Sequence, residues 1–223
     1  MKLKLIKITD ETPDTKTFRF SLDNPLEFKP GQFLVFIFKI NNEEIRRPYS
    51  ISSSPDEKDY IEITVKKTLN GKASTLLLDK TKLKNKFEAL GPYGSFCYNN
   101  ENTDNIIHIA AGSGIAPIRS IIKYLLKNKQ EIKQTLLFSN KTEKDITYKE
   151  ELQKLSIEKV FTLTREIHKE IKNGRITKDL LKKHIKESSL YFICGPPLFV
   201  DSMVSELKSL NVKQEQIKTE RYD

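Results

Sequence analysis

The sequence predicts a chain in two parts, an antiparallel β-barrel followed by a parallel α/β domain, and two observations carry that prediction. Over residues 1–98, short runs rich in β-branched and aromatic residues recur between Gly, Pro and Asn turns. From residue 105, apolar strand-length runs alternate with segments whose apolar residues recur at helical spacing. A chain of 223 residues is long enough for two such units, each with its own core.

In the first half, strands are expected over residues 2–9, 16–22, 31–40, 45–52, 60–67 and 86–94. Asp23-Asn24-Pro25, Lys29-Pro30-Gly31 and Asn41-Asn42 punctuate them, because these residues accept turn conformations that strand formers resist. Regularly spaced short strands of this kind suggest closure as a barrel. One short helix interrupts them over 73–79, entered through Asn70-Gly71.

In the second half, strands are expected over 105–112, 135–140, 160–164 and 191–194, with a last one at QIKTE near the C-terminus. Helices are expected over 117–128, 149–155, 176–185 and 197–210, with Thr177 as an N-cap and Pro197 in a first turn. Repeated β–α units imply a parallel sheet covered on both faces, with a ligand crevice at the carboxyl ends of its strands. Residues 99–105 read as the linker, which gives domains over 1–98 and 105–223.

Composition excludes several classes. With 37% hydrophobic and 31% charged residues the chain is globular rather than disordered. The opening MKLKLIKITDETPD has no apolar leader, and no apolar run reaches spanning length, so a cytoplasmic protein without a membrane span is expected. Cys97 and Cys194 are too few for a disulfide framework or a four-thiolate cluster, and His108, His168 and His184 lack metal-like spacing. No metal site is expected. The net charge of +9 is spread among acidic residues from end to end, so no nucleic-acid partner is expected either.

Four short motifs carry chemistry. Ala110-Ala111-Gly112-Ser113-Gly114-Ile115-Ala116-Pro117 follows an apolar strand and opens a helix. Its glycines let backbone approach a pyrophosphate, and the helix N-terminus supplies free N–H groups. Such a turn also occurs without any nucleotide. Cys194-Gly195-Pro196-Pro197 ends another strand before another helix, so both turns fall on the same sheet edge. Cys194 reads equally as an inert buried thiol and as a functional one. Arg47-Pro48-Tyr49-Ser50 sets a cation, an aromatic face and a hydroxyl on one strand, with Arg47 and Tyr49 on a common face. Gly71-Lys72-Ala73-Ser74 opens the short helix as a second candidate phosphate cradle.

Taken with Pro30-Gly31-Gln32-Phe33, Gly91-Pro92-Tyr93-Gly94-Ser95-Phe96 and the terminal Glu220-Arg221-Tyr222, these motifs resemble, in order and over nearly the whole chain, the ferredoxin–NADP⁺ reductase superfamily. The resemblance implies a flavin-binding β-barrel holding FAD and a Rossmann-like nucleotide-binding domain holding NADPH or NADH. It places Arg47 on the flavin pyrophosphate beside Val65 and Lys66, the latter where relatives often carry arginine. Pro48 belongs to the same strand motif; Tyr49 packs on one isoalloxazine face and Ser50 hydrogen-bonds near N5. Gly71, Lys72, Ala73 and Ser74 complete that phosphate site. Gly112, Gly114, Ile115, Ala116 and Pro117 hold the dinucleotide pyrophosphate, with Gly195 and Pro196 in the facing turn. Cys194 approaches the nicotinamide C4, with Glu220 nearby in a charge or proton role.

Tyr222 resembles the terminal aromatic that covers the other flavin face, yet Asp223 follows it, and a mobile tail is the competing reading. The reaction implied is hydride transfer from nicotinamide to flavin N5 and onward electron release. The acceptor is a redox protein such as ferredoxin, flavodoxin or an oxygenase component, or a quinone. The positive charge suits an acidic partner, and a lysine-rich coding bias accounts for it as well. Lys141 and Arg165 suggest a modest NADPH preference, or are solvated surface charges. Two rival functions stand beside this one: a free-flavin reductase that takes flavin as substrate, and an electron-relay or adaptor subunit of a larger complex.

Overall fold

The computed structural model describes residues 1–41, 43–186 and 188–222. Asn42 of the expected Asn41-Asn42 turn, Glu187 and the terminal Asp223 lie outside the described residues. The chain forms two compact units, residues 1–99 together with 119–124, and residues 100–118 together with 125–223.

In the first unit six strands pair antiparallel: β1 (Lys2–Thr12), β2 (Thr15–Ser21), β3 (Phe33–Ile40), β4 (Glu43–Ser50), β5 (Tyr60–Lys66) and β6 (Lys86–Tyr93), in the order β4-β3-β6-β1-β2-β5. The two edge strands meet where the chain leaves β4. Ile51 bridges Ile63, and the Ser52 amide donates to the Glu62 carbonyl at 2.8 Å. That contact removes the open edges and makes the sheet a barrel.

Alternation decides which side chains fill the barrel. Leu34, Phe36 and Phe38 of β3 point inward, and the Phe20, Phe36, Phe38 and Phe87 rings pack at centroid distances of 5.4–6.3 Å. The expected helix over 73–79 is one α-turn, α1 (Lys72–Thr75), continued as a wider π-turn over Leu76–Lys80. The Thr81 hydroxyl donates to the Leu76 carbonyl at 3.0 Å, satisfying an acceptor that the wider winding leaves free.

The second unit is a six-stranded parallel sheet: β7 (Asn105–Ala111), β8 (Lys133–Asn140), β9 (Glu158–Leu163), the two-residue β10 (Lys172–Asn173), β11 (Leu190–Gly195) and β12 (Ile217–Arg221). The order β10-β9-β8-β7-β11-β12 reverses direction between β7 and β11. Helices α2 (Ile115–Asn128), α3 (Lys149–Lys154), α4 (Lys178–His184) and α5 (Pro197–Ser209) connect the strands. Thr177 caps α4 by accepting from the Leu180 amide at 3.3 Å, and Pro197 occupies the first position of α5. Ile107, Ile109, Tyr191 and Ile193 of the sheet pack on Leu180 and Leu181 of α4 and on Val200, Met203 and Leu207 of α5. No helix among the described residues is long and apolar enough to cross a membrane.

His108 lies fully buried in β7, its Nε2 3.0 Å from the Gln134 Oε1. Burial pushes its pKa down to about 4, with the Gln134 contact opposing. In the unfolded chain its pKa is about 6.5. Acid therefore protonates the unfolded state first, and stability present above that value is lost as pH falls toward the folded one. Urea unfolding at pH 6.5 and pH 4 is expected to differ, through this residue, by up to about 3 kcal/mol. His108→Gln should remove that share of the slope; an unchanged slope in the variant would contradict the assignment.

Candidate functional site

Reversal of strand order opens a crevice at the carboxyl ends of neighbouring parallel strands, because the connecting helices depart to opposite faces. In the second unit that point lies between β7 and β11, and each strand ends there in one of the two glycine turns. Gly112 sits at φ +53° with nothing within 4 Å of the place a Cβ would occupy. It opens a 3₁₀ turn over Gly112–Gly114 that leads into α2, and the Gly112 and Ser113 carbonyls accept the amides that follow the turn. Gly114 does a different job. A Cβ there would stand 2.2 Å from the Cys194 carbonyl oxygen and 2.8 Å from the Gly195 nitrogen, so its missing side chain lets the two turns touch backbone to backbone. Ile115, Ala116 and Pro117 are buried. Pro196 is exposed as the N-cap of α5.

Parallel pairing sets Cys194 opposite Ala110 on one side and Glu220 on the other. The thiol is inaccessible to solvent, and burial, reinforced by the Glu220 carboxylate, pushes its pKa well above the ordinary value against the Tyr222 hydroxyl. It is a neutral thiol, not a thiolate. The Tyr222 amide donates to the Gly195 carbonyl at 3.0 Å, and its hydroxyl lies 3.5 Å from Glu220 Oε2. Tyr222 is thus tied into the edge of the sheet rather than trailing from it. The structure brings Cys194, Glu220 and Tyr222 together.

In the first unit, Arg47 and Pro48 are exposed on β4, and the Arg47 Nη1 donates to the neighbouring Arg46 carbonyl at 2.8 Å. Tyr49 packs edge-on against Phe36 and Phe38, and burial pushes its phenol up to about 12, Arg47 opposing. Ser50 is buried on the opposite side of the strand. Lys66 pairs with Asp14 at 3.1 Å. Burial favours the neutral Asp14 carboxyl, and Lys66 together with the Thr12 and Thr15 hydroxyls outweighs it, so the pKa falls. Val65 and Ala73 are core side chains. Lys72 pairs with Glu43 at the surface, and the Ser74 hydroxyl closes the turn by donating to the Gly71 carbonyl and accepting from the Thr68 amide.

Sequence reading nominated Lys141 and Arg165 without showing that they are neighbours, and it missed the buried pair of Glu62 and Arg119. Lys141 and Arg165 lie side by side, the Arg165 amide donating to the Lys141 carbonyl at 2.8 Å, because β8 and β9 are neighbours. Glu62 and Arg119 form a buried ion pair at 2.8 Å. Its signal was present, since each charge interrupts an apolar run, YIEITV and PIRSII. Among the described residues no group of three or more His, Cys, Asp or Glu side chains could hold a metal.

Residues 2–98 match the oxidoreductase FAD-binding domain family, and residues 108–205 match the oxidoreductase NAD-binding domain family. The chain belongs to the ferredoxin–NADP⁺ reductase superfamily. It is 31% identical over 156 residues to the glycine betaine monooxygenase reductase subunit of Pseudomonas aeruginosa, covering 69% of this chain and 43% of that protein. It is 30% identical to one of the subunits of the 1,2-phenylacetyl-CoA epoxidase of Escherichia coli, over 99% of this chain and 67% of that one. The match therefore spans less than half of the first relative. Its fold superposes with a TM-score of 0.90 on the flavohem-like FAD/NAD binding domain of nitric oxide dioxygenase from Vibrio cholerae, at 21% identity, covering 99% of this chain and 98% of that one.

The two glycines should separate by substitution. Gly114→Ala forces backbone apart and is expected to cost about 2 kcal/mol or more in urea unfolding. Gly112→Ala has room and should cost about 1 kcal/mol for its left-handed backbone, while its methyl fills the open cradle and weakens dinucleotide binding in a fluorescence titration. The reverse ranking in stability would refute these roles.

Proposed function

We propose that the protein is an FAD-dependent oxidoreductase that takes a hydride from NADPH or NADH onto flavin N5 and passes electrons to a redox-protein acceptor. The observation that carries this reading is the meeting of the Gly112–Gly114 turn with Cys194-Gly195 at the β7/β11 reversal, with Glu220 and Tyr222 on the same edge. The open space at Gly112, where the turn leads into α2, fits a pyrophosphate, which needs close backbone donors and no side chain in the way. On the barrel, the exposed Arg47 guanidinium and the first-turn amides of α1 fit a second diphosphate. When bound, the flavin supplies the conversion of a two-electron donor into one-electron steps.

Each chain residue then has a job in binding or orientation. Arg47, with Lys66 and the Gly71-Lys72-Ala73-Ser74 turn, holds the flavin diphosphate; Tyr49 backs the ring and Ser50 offers a hydroxyl near N5. Gly112 and the start of α2 hold the dinucleotide diphosphate. The Cys194 thiol, buried and kept neutral, adds no charge on the nicotinamide's side of the crevice, and Glu220 fixes the local charge. Tyr222 is the aromatic that the nicotinamide meets. The domains are read as FAD-binding over 1–98 and NAD(P)-binding over 105–223. Neighbouring Lys141 and Arg165 support a modest preference for NADPH through its extra phosphate. The names of the two bacterial relatives support an oxygenase component as the acceptor. The two buried cysteines, which form no disulfide, accord with a reducing, cytoplasmic setting.

The purified protein is expected to be yellow and to release about one FAD per chain on heating, as a single concave cofactor site requires. Arg47→Ala should lose most of that flavin while its thermal unfolding stays close to the parent, since it removes a charge-assisted phosphate contact from an exposed position. Full occupancy in Arg47→Ala would reject its role. A colourless parent that oxidises NADPH only with added flavin would replace the held-cofactor reading with that of a free-flavin reductase.

A further inference from the structure

The strand that carries Arg47, Tyr49 and Ser50 runs on into Ile51, Ser52 and Ser53, and the hydrogen bonds of that continuation are unusually complete. The Ser52 amide donates to the Glu62 carbonyl, its hydroxyl lies 3.2 Å from that of Thr64, and its carbonyl accepts from Arg119 Nη1 at 2.8 Å. The Ser53 hydroxyl accepts from the Glu62 amide at 3.0 Å, and its carbonyl accepts from the Ser120 hydroxyl at 2.6 Å. Two consecutive residues are thus gripped from β5 on one side and from Arg119-Ser120 on the other.

The grip is built around charge. Arg119 and Glu62 are 6% and 4% exposed, and the same Arg119 Nη1 that holds the Ser52 carbonyl also donates to Glu62 Oε2 at 2.8 Å. Arg19 takes the other carboxylate oxygen at 2.8–2.9 Å and lies over the Tyr60 ring at 3.9 Å. Burial would favour a neutral Glu62, but Arg119 first and then Arg19 outweigh it and hold the carboxyl below its ordinary pKa. A buried pair is a weak source of stability, since desolvation offsets most of the attraction. Its directional bonds are better suited to fixing a backbone in one place.

We infer that Arg119 is a positioning residue: through the Ser52 carbonyl and Glu62 it fixes the strand end that carries Ser50, and so sets where the Ser50 hydroxyl meets the flavin. The inference rests on the proposed function and adds to it a residue that touches no cofactor. Ser50, itself buried, is two residues upstream, with the Ile51–Ile63 bridge between. Removing Arg119 frees the Ser52 carbonyl and lets this stretch relax by a fraction of an ångström, which is enough to slow a reaction that depends on orientation.

A double-mutant cycle tests it. The FAD-loaded protein is mixed anaerobically with saturating NADPH, and flavin reduction is followed in parent, Ser50→Ala, Arg119→Met and the combination. Because Arg119→Met leaves the buried Glu62 carboxylate with Arg19 as its one charged partner, Arg119→Met is also made with Glu62→Gln, which removes both charges of the pair together. Arg119→Met is expected to retain FAD, slow reduction about ten-fold and shift the flavin absorption band, with Arg119→Lys recovering most of the rate. In the Ser50→Ala background the same change should cost less than about two-fold, because the two residues act through one contact. Additive losses, or parent-like reduction in both Arg119→Met and the charge-free pair, would overturn the inference. A parent that holds no FAD or is not reduced by NADPH would instead bring down the functional reading itself.

Discussion

The site depends on one close approach, the backbone of Gly114 lying against the Cys194 carbonyl and the Gly195 amide. At 2.2 Å from a would-be Cβ, no other residue type fits without moving a strand. This contact holds the start of α2 against the end of β11, the two places from which a dinucleotide would be gripped. The β11–β12 register separately sets Cys194 opposite Glu220. The parallel sheet supplies the direction, and the glycine supplies the distance.

The barrel solves a different problem. A closed antiparallel sheet filled by Leu34, Phe36, Phe38 and their aromatic neighbours is rigid, but its closure runs through Ile51 and the polar Ser52-Ser53-Ser54. Three consecutive serines there are buried, and buried polar backbone must be satisfied. The structure meets that demand with Glu62, Arg119, Ser120 and Thr64 rather than with more β-ladder. Directional partners hold the exit of the Arg-Pro-Tyr-Ser strand where apolar packing alone would leave it free to slide.

Much of this was legible in the sequence because it is local. The change from strand to helical spacing near residue 105 reports two kinds of sheet, and Thr177 and Pro197 announce their helix ends through their own backbone chemistry. The glycine turns are legible for the same reason. What was hidden depends on contacts distant in sequence. The two-residue β10 has no pattern of its own, and the π-turn after α1 is a matter of winding. The grouping of 119–124 with the first unit follows from Arg119 finding Glu62, 57 positions away. Sequence could nominate Cys194 but not its protonation, which burial and Glu220 decide. Nor could it show that Gly114 is spent on packing while Gly112 faces open space.

The most direct test of the proposed reaction is anaerobic reduction of the protein's own bound flavin, followed in a stopped-flow instrument after mixing with NADPH and, separately, NADH. Full bleaching of the long-wavelength flavin band by either donor is expected, saturating with dinucleotide concentration and reaching half-rate at lower NADPH than NADH. Bound FAD that neither dinucleotide reduces would contradict it, and would leave the chain as a flavin carrier that receives electrons from elsewhere.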